Sequence, residues 1–354
     1  QKRYFAYCYL NIIFERALMQ EAMFYESLEN KEVRCRLCPH YCKVANFKRG
    51  ICGVRENREG VLYTLVYGKA ISYAIDPIEK KPLYHFYPGS NAFSLATVGC
   101  NMHCLHCQNS DISQFPKERG EIEGKNLSPE KIVLLAKKNN CKIIAYTYTE
   151  PTIFFEYAYD TARLAIREGI KNVFVTNGFI SEEALKRISP YLQAANVDLK
   201  SFSEDFYKKI CGGHLKPILK TLELMKKLGI WLEVTTLIIP TLNDSEEEMR
   251  NIAEFIVNLG KDVPWHLSKF YPHYKLTNLP PTPVHILHRA REIGLETGLR
   301  YVYTGNVPGD KGENTYCYNC GKVLIKRYGY YIEEYNIKDG RCKYCQARID
   351  GVSV

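Results

Sequence analysis

Short apolar runs that are rich in β-branched residues alternate with longer amphipathic stretches through residues 90–305. Runs of this kind are typical of strands, and longer stretches with a period near 3.6 residues are typical of helices. The predicted strands span residues 93–98, 143–148, 173–177, 195–200, 232–239, 266–271 and 301–304. Repeated strand–helix alternation predicts parallel strands covered by helices, either as an α/β barrel or as an open sheet.

Two of the predicted helices begin with sequences that cap helices. Ser128 precedes Pro129, which places a capping side chain before a proline at the first helical position. Ser245 is followed by Glu248 at the spacing of a capping box. These sequences predict helices that begin close to residues 129 and 246.

Polar residues stand where several of the predicted strands end. Glu150 follows the second strand, and Asn177 ends the third. Asp198 and Lys200 end the fourth strand and face the same side of it, and His266 begins the sixth. Active sites of parallel α/β folds form at the carboxyl ends of the strands. One such residue alone is usually a solvated loop residue, but several at one rim indicate a functional site.

The most informative motif directly follows the first predicted strand. Cys100, Cys104 and Cys107 have the spacing C-x3-C-x2-C, and no fourth cysteine lies nearby in the sequence. Three thiolates can hold three irons of a cubane [4Fe–4S] cluster, and the fourth iron is then open for chemistry. A zinc site completed by His103 or His106 is the alternative that these three cysteines alone leave open.

A second cysteine group lies in residues 309–354. Cys317-x2-Cys320 and Cys342-x2-Cys345 have the spacing of a zinc ribbon. Four thiolates predict a structural zinc, which would supply folding free energy to a short segment. Iron of the rubredoxin type or a second cluster also suits four thiolates. The basic residues of this segment leave a nucleic-acid contact open: Lys322, Lys326, Arg327, Arg341 and Lys343.

A third group is looser, with the spacing C-x2-C-x3-C-x9-C, and consists of Cys35, Cys38, Cys42 and Cys52. Four thiolates on a loop that contains Gly and Pro again predict a closed metal site, which holds either zinc or an auxiliary [4Fe–4S] cluster. The distinction matters because an auxiliary cluster can relay electrons and zinc cannot. The remaining cysteines are predicted to have no metal role: Cys8, Cys141 and Cys211.

The composition favours metal sites over disulfides. The chain of 354 residues contains 14 cysteines and has a formal net charge of +9. Disulfide frameworks belong to small secreted domains, and this longer chain has no evident signal peptide. No run approaches the roughly 20 apolar residues of a membrane span. We therefore predict a cytoplasmic protein without membrane contact. The positive charge permits an anionic partner such as RNA, although a solvated surface explains it more simply.

The central motifs resemble those of the radical S-adenosylmethionine (SAM) superfamily, in which a C-x3-C-x2-C triplet binds a [4Fe–4S] cluster and SAM chelates the open iron. The chain is most similar to the branch of pyruvate formate-lyase activating enzymes at Thr176-Asn-Gly-Phe179, Asp198-Leu-Lys200 and Pro240-Thr-Leu-Asn-Asp244. From residue 19 onward it also resembles the radical SAM component of the AmmeMemoRadiSam system. That resemblance rests on Arg34-Cys-Arg-Leu-Cys-Pro39, Gly50-Ile-Cys-Gly-Val-Arg55, Asp76-Pro-Ile-Glu-Lys-Lys-Pro82 and Tyr303-Thr-Gly-Asn-Val-Pro-Gly309.

The resemblance implies a mechanism and a set of SAM contacts. An external electron donor such as ferredoxin or flavodoxin reduces the cluster, and SAM is then cleaved to methionine and a 5′-deoxyadenosyl radical that abstracts hydrogen from a substrate. By the family's pattern, Glu150 accepts from the SAM ammonium and Lys200 pairs with the SAM carboxylate. His266 approaches the adenosyl part, and Asn177 and Asp198 line the ribose side or fix their neighbours.

Three positions depart from the family's pattern. The usual Gly-Gly-Glu run is Tyr148-Thr149-Glu150 here, so glycine does not provide a close backbone approach to SAM. His106 stands where an aromatic residue commonly precedes the last cluster cysteine. Val175 stands where the activating enzymes often have a ribose-contacting Asp. These departures concern individual SAM contacts more than the cluster.

We therefore predict an α/β protein, a partial (β/α)6 radical SAM barrel with small cysteine-rich metal-binding modules at both ends. Residues 1–18 are predicted to be an N-terminal extension. The other predicted units are a four-cysteine module with a connecting segment at 19–89, the radical SAM core at 90–308 and a zinc-ribbon-like module at 309–354. The predicted function is an activating-enzyme-like oxidoreductase, with a glycine of a partner protein as the favoured substrate. The alternatives are modification of RNA or a small molecule, or a non-catalytic metal-binding or nucleic-acid interaction protein.

Overall fold

An eight-stranded sheet forms the centre of the protein, whose computed structural model describes residues 19–354. In chain order its strands are β1 (Ser72–Pro77), β2 (Asn91–Ala96), β3 (Ile143–Tyr146), β4 (Lys171–Thr176), β5 (Ala194–Asp198), β6 (Trp231–Ile238), β7 (Trp265–Lys269) and β8 (Val302–Gly305). β1 runs antiparallel to β2, and every other neighbouring pair is parallel. The predicted strands are all present in this sheet, with ends that differ by one or two residues. The predicted extension at residues 1–18, including Cys8, lies outside the described residues.

Helices connect the successive parallel strands. They are α1 (Pro129–Lys138), α2 (Phe155–Arg167), α3 (Glu182–Ile188), α4 (Leu215–Lys227), α5 (Glu246–Leu259) and α6 (Val284–Thr297). The predicted caps are confirmed, because the Ser128 hydroxyl accepts from Lys131 N at 3.3 Å and the Ser245 hydroxyl accepts from Glu248 N at 3.2 Å. Shorter helical turns are Glu29–Lys31, Ile78–Lys80, Ser110–Ser113, Phe115–Arg119, Pro151–Phe154, Ser189–Tyr191, Glu204–Phe206, Tyr207–Cys211 and Lys311–Glu313. No helix among residues 19–354 has the length and apolar character needed to cross a membrane.

The two faces of the sheet bury different side chains because residues alternate along each strand. On β3, Ile144 and Tyr146 belong to the large core that contains the helices, whereas Ile143 and Ala145 belong to a separate cluster on the inner face. Helices packed on one face of a parallel sheet are typical of a barrel. β1 and β8 are the two edges of the described sheet and do not pair, so the barrel is partial, as predicted.

A segment that precedes β2 covers the inner face at the amino ends of the strands. This floor segment, residues 78–87, contributes fully buried apolar side chains to the inner cluster: Ile78, Leu83 and Phe86. On β6, Glu233 accepts from Tyr84 N at 3.0 Å and from His85 N at 2.8 Å. On β5, Asn196 Nδ2 donates to Pro82 O at 2.8 Å. In residues 19–354 the floor segment therefore fills the amino end of the inner face.

Small antiparallel sheets flank the barrel. Before β1, one contains Gln20–Glu21, Arg55–Arg58 and Val61–Thr64, and another contains Tyr25–Ser27, Val33–Cys35 and Lys43–Val44. Lys69–Ala70 pairs with Lys125–Asn126. After β8, one sheet contains Thr315–Tyr316, Val323–Tyr328 and Tyr331–Tyr335, and Ile337–Lys338 pairs with Arg341–Cys342. The predicted N-terminal range 19–89 also contributes β1 to the central sheet.

Buried contacts fix both flanking units to the barrel. Arg55 of the N-terminal unit forms an ion pair with Glu156 of α2, and the two side chains are 2% and 3% exposed. Arg327 of the C-terminal unit donates to Tyr84 O at 3.2 Å, and its guanidinium carbon lies 4.1 Å from the centre of the Tyr84 ring. The floor segment therefore contacts both the barrel and the C-terminal unit.

Candidate active site

The three cysteines of the C-x3-C-x2-C motif, here called the cysteine triplet, lie between β2 and α1 at the carboxyl end of the sheet. His103 N donates to Cys211 O at 2.9 Å, and Leu105 N donates to Ile210 O at 2.9 Å. The accepting turn, Tyr207–Cys211, is π-helical, a geometry that is frequent at functional sites. Backbone hydrogen bonds therefore hold the triplet loop against a turn that lies far away in the sequence.

Two glycines allow this turn to approach the triplet loop closely. Gly212 has φ of +74°, and a Cβ there would lie 2.0 Å from the His103 ring. A Cβ on Gly213 would lie 2.8 Å from Met102 Cε. Any side chain at Gly212 would displace the ring and strain the backbone. The Cys-Gly-Gly sequence is thus explained by packing against the triplet.

The cysteines of the triplet are shielded from water. Cys104 is buried, and Cys100 and Cys107 are half-buried. Burial is the main cause of the raised pKa of Cys100 and Cys107, whereas the pKa of Cys104 is raised first by its hydrogen bond with Cys211 and then by burial. Metal ligands must be thiolates, so a bound cation has to offset the cost of ionising them here.

The spacing of the triplet differs from that of a single-ion site. Sulfurs around a tetrahedral zinc are separated by about 3.8 Å, because the Zn–S bond is about 2.3 Å. Within residues 19–354 two groups of candidate ligands have all their ligand atoms within 4.8 Å of one another, and the triplet is not one of them. A cubane binds each thiolate through a different iron and so needs wider spacing. His106 belongs to one compact group, with Cys104 and Cys211 rather than with Cys100 and Cys107, and the zinc alternative on the triplet stays a prediction.

Glu150 follows β3 and is buried at the junction with β4. Its Oε1 accepts from Thr152 N at 3.0 Å, from Thr152 Oγ1 at 2.6 Å and from Thr176 Oγ1 at 2.7 Å. Its Oε2 accepts from Asn177 N at 2.8 Å. Burial raises the pKa of Glu150, and these hydrogen bonds oppose the rise. The carboxylate is therefore held in one orientation.

Asn177 connects this carboxylate with the triplet. Asn177 Nδ2 donates to Asn101 Oδ1 at 2.8 Å and lies 3.7 Å from Cys100 Sγ. After burial, the charge of Glu150 is the largest cause of the raised pKa of Cys100. The structure therefore brings Glu150 and Asn177 to the first cysteine of the triplet.

Asp198 and Lys200 lie near Cys104, the second cysteine. Lys200 Nζ is 2.8 Å from Asp198 Oδ2, and Lys200 N donates to the Tyr207 hydroxyl at 2.9 Å. Burial disfavours the charge on Lys200, but Asp198 and the Cys104 thiol group outweigh burial and raise the pKa of Lys200. A fixed cation is thus present beside the triplet.

His266 lies deeper on the inner face than the other predicted residues. His266 Nε2 is 2.7 Å from Glu233 Oε2. Its ring centre is 5.1 Å from that of Tyr303 and 4.7 Å from that of Tyr84. His266 therefore belongs to the group that holds the floor segment, and the structure does not bring it to Glu150 or Asn177.

A cavity of about 540 Å³ extends between the triplet loop and the C-terminal unit. Gln108, the neighbour of Cys107, lines it together with Ser268 and Lys269 of β7. Tyr330, at the tip of the hairpin between Val323–Tyr328 and Tyr331–Tyr335, also lines it. A second cavity, of about 470 Å³, lies at the amino ends of the strands, remote from the triplet. Of these two cavities, the first is the one whose lining includes a residue of the triplet loop, Gln108.

Known proteins are similar to this chain over different lengths. It is 51% identical over 335 residues to the uncharacterized protein MJ0808 of Methanocaldococcus jannaschii. The matched residues make up 94% of this chain and 99% of that protein. It is 27% identical over 170 residues to the pyruvate formate-lyase-activating enzyme of Clostridium pasteurianum. The matched residues make up 46% of this chain and 67% of that protein. The family model of the Radical SAM superfamily matches residues 94–256, which contain the triplet but not His266. The chain belongs to the radical SAM superfamily.

A solved domain of the pyruvate-formate lyase-activating enzyme from Bacteroides vulgatus is similar to this radical SAM protein, with 18% identity and a TM-score of 0.41. The match covers 46% of this chain and 98% of that domain. Membership of the superfamily makes the protein an enzyme, so the predicted non-catalytic alternative is not supported. The closer resemblance to the AmmeMemoRadiSam system stays a prediction.

The residues at the triplet are suited to the cofactors of the radical SAM superfamily, a [4Fe–4S] cluster and SAM. The triplet offers widely spaced thiols at the end of β2. Glu150 offers an anion near Cys100, and Lys200 offers a cation near Cys104. The ammonium and the carboxylate of SAM would have partners of opposite charge in Glu150 and Lys200.

A polar network on the inner face was missed in the sequence. Asp76 of β1 accepts from Lys81 Nζ at 2.7 Å, from Ser94 Oγ at 2.8 Å and from the Tyr148 hydroxyl. Burial lowers the pKa of Lys81 to about 8, although Asp76 opposes the shift. Tyr148, which replaces a glycine of the family's pattern, has φ of +63° and extends its side chain into the barrel. In the sequence this network is indicated only by the charged run at residues 76–82, which is one of the motifs of the family resemblance.

The C-terminal quartet, Cys317, Cys320, Cys342 and Cys345, has the spacing of a single-ion site. Cys317 Sγ is 3.6 Å from Cys345 Sγ, and Cys320 Sγ is 3.8 Å from Cys342 Sγ. All four sulfurs lie within 4.8 Å of one another. These distances suit one tetrahedral ion and are too short for a cubane. The structural zinc expected from the sequence stays a prediction, with mononuclear iron as the alternative.

Proposed function

We propose that the enzyme binds SAM at a [4Fe–4S] cluster on the cysteine triplet and abstracts hydrogen from a glycine of a partner protein. The observation that carries the proposal is the convergence of the triplet, Glu150, Asn177 and Lys200 at the carboxyl ends of the strands. When bound and reduced, the cluster supplies the electron that cleaves SAM to methionine and the 5′-deoxyadenosyl radical.

The proposed roles of the side chains follow from their charges. Glu150 accepts from the SAM ammonium through Oε2, which has one protein donor, whereas Oε1 has three. Lys200 pairs with the SAM carboxylate, and Asp198 holds Lys200 in place at 2.8 Å. Asn177 fixes the loop of Cys100 through Asn101. His266, which the family resemblance assigns to the adenosyl part, lines the cavity and is held by Glu233 at 2.7 Å.

A polypeptide substrate suits the cavity. Its lining mixes polar and aromatic side chains with backbone of the C-terminal hairpin, including Ser268, Tyr271 and Tyr330. Such a lining can offer both hydrogen bonds and ring contacts to a bound segment. The relative from Clostridium pasteurianum is, by its name, an enzyme that activates a protein, which supports the same class of substrate here.

The test measures whether the hydrogen atom that the 5′-deoxyadenosyl radical acquires comes from a protein. Anaerobically reconstituted enzyme, dithionite and SAM should yield 5′-deoxyadenosine. A soluble protein fraction from cells grown with α-deuterated glycine should transfer deuterium into that product. Absence of 5′-deoxyadenosine from well-reconstituted protein would refute the radical chemistry. Transfer from ribose-deuterated RNA, with none from the protein fraction, would instead support an RNA-modifying enzyme.

Replacing Lys200 by methionine is expected to weaken SAM binding about 10- to 100-fold, because a buried charge-assisted contact contributes about 1.5–3 kcal/mol. Equilibrium dialysis with labelled SAM measures the change, and iron content should stay constant. Lys186→Met is the matched control, because Lys186 pairs with Glu182 on the exposed surface of α3. Equal SAM affinity in both variants would remove Lys200 from the binding site.

A further inference from the structure

A compact group of metal-ligand side chains lies between the triplet loop and the π-helical turn. It consists of Cys104, His106 and Cys211, here called the mixed group, and its ligand atoms all lie within 4.8 Å of one another. The C-terminal quartet is the other group of this compactness within residues 19–354. Sulfur and nitrogen ligands of one zinc ion are about 3.5–3.8 Å apart, so small side-chain movements would bring these three ligand atoms onto one ion.

His106 supplies a nitrogen that the rest of the described chain leaves without a partner. The residue is 4% exposed, and its buried Nδ1 atom has no hydrogen-bond partner within residues 19–354. Buried polar atoms are normally paired, so an unpaired ring nitrogen beside two thiols points to a metal ligand. The mixed group therefore offers one imidazole and two sulfurs.

The backbone gathers the members of the mixed group. Leu105, which lies between Cys104 and His106, donates its N–H to the carbonyl of Ile210 at 2.9 Å. Ile210 directly precedes Cys211, so this one hydrogen bond holds the two contributing segments side by side. The contact involves no metal, and the polypeptide alone brings the three ligands together. A preformed site binds its ion without the cost of ordering the chain.

The charges beside the mixed group suit a divalent cation. Burial opposes the charge on Lys200, but Asp198 and the thiols of Cys104 and Cys211 outweigh burial and raise its pKa, so the ammonium lies within electrostatic reach of both sulfurs. A nearby cation favours thiolates, the form in which cysteine binds metal. Asp198 balances the charge of Lys200 at 2.8 Å. Two thiolates and one divalent ion therefore leave the whole group neutral, and zinc suits two sulfurs with one imidazole.

We propose that the enzyme without a cluster binds one zinc ion at Cys104, His106 and Cys211, with water as the fourth ligand. Binding converts the two thiols to thiolates, releases their protons to water and changes no oxidation state. The zinc ion and a cluster on the triplet exclude each other, because both need the Cys104 sulfur. The zinc site does not rest on the proposed function, whereas the exclusion of an active cluster does.

The ion is counted in full-length protein freed of its cluster by anaerobic chelation of the iron and then dialysed against chelator-buffered zinc. Wild type should hold about one zinc per chain more than Cys211→Ser or His106→Phe, because each variant lacks one of the three ligands. Cys141→Ser is the matched control and should equal wild type, because Cys141 is buried but lies outside the mixed group. Inductively coupled plasma mass spectrometry measures the zinc.

A further variant distinguishes the mixed group from the triplet. Cys100→Ala removes a triplet cysteine that does not belong to the mixed group, so this variant should keep the additional zinc. Loss of that zinc in Cys100→Ala but not in Cys211→Ser would place the ion on the triplet and overturn the proposal. Equal zinc contents in wild type, Cys211→Ser and His106→Phe would overturn it as well.

The exclusion is measured by treating the cluster-free protein with zinc before anaerobic reconstitution with iron and sulfide. In wild type, this treatment should lower 5′-deoxyadenosine formation about tenfold relative to the same protein without zinc. In Cys211→Ser it should lower formation less than about twofold, because zinc is no longer held at Cys104. Equal inhibition of the two proteins would reject the exclusion. A wild type that yields no 5′-deoxyadenosine even without zinc would refute the proposed function, while the zinc counts would still decide the metal site.

Discussion

Replacing Cys104 by alanine is expected to reduce 5′-deoxyadenosine formation by about a thousandfold or more, below detection in most assays. Cys104 is the buried member of the triplet, and the alternative thiol beside it, Cys211, lies on a turn fixed by backbone hydrogen bonds. A cluster left with two thiolates loses the coordination that keeps one iron open in a defined place. Product analysis by mass spectrometry after anaerobic reconstitution measures the effect.

The matched control for this variant is Cys211→Ser. Cys211 is close to Cys104 but outside the C-x3-C-x2-C spacing, so its variant should keep the iron content and activity within about threefold of wild type. Zinc content should be the same in both variants because the C-terminal quartet is untouched. Equal loss of iron in the two variants would show that Cys211 is itself a ligand, and loss of zinc in Cys104→Ala would show that the triplet holds zinc.

Replacing Arg55 by methionine is expected to lower the free energy of unfolding by about 3–5 kcal/mol, because the buried Glu156 carboxylate loses its charged partner. Arg55 also donates to Met23 O at 2.8 Å, so Arg55→Met leaves the Met23 carbonyl without this donor. The contact joins the N-terminal unit to α2, and its loss should loosen that unit first. Urea unfolding of the reconstituted protein measures the difference.

Two further variants show whether the cost comes from the unpaired charge. Arg55→Met/Glu156→Leu should recover much of the lost stability, because neither charge then remains buried. Glu168→Gln removes an ion pair with Lys137 in which both side chains are about half exposed, and should cost less than about 1 kcal/mol. A cost for Arg55→Met no greater than that for Glu168→Gln would mean that the buried pair contributes nothing measurable.

The parallel core was predictable because its signals are local. Each strand from β2 to β8 is a short apolar run, and the capping residues Ser128 and Ser245 mark helix starts within a few residues. β1 was missed because it ends in Asp76 and Pro77, residue types that are common in turns and rare in strands. Its strand conformation depends on pairing with β2, a contact that local sequence does not reveal.

The site was predictable where strand ends supply the residues. Glu150, Asn177 and Lys200 follow parallel strands, so the fold class alone places them at one rim. The proximity of Cys211 to Cys104 could not be inferred, because 107 residues separate them and only the π-helical turn brings them together. The metal of the N-terminal cysteine group, residues 35–52, was likewise open, since cysteine spacing in sequence does not fix the distances between sulfurs.

The floor segment limits how the polypeptide substrate proposed above could enter the barrel. Because the side chains of Ile78, Leu83 and Phe86 fill the amino end of the inner face, a bound chain would have no exit at that end. A chain that both entered and left at the carboxyl ends of the strands would reverse direction at its deepest residue. Glycine adopts such reversals at the least conformational cost. The closed end of the barrel would thus select for a protruding glycine loop rather than for a residue within a helix or strand.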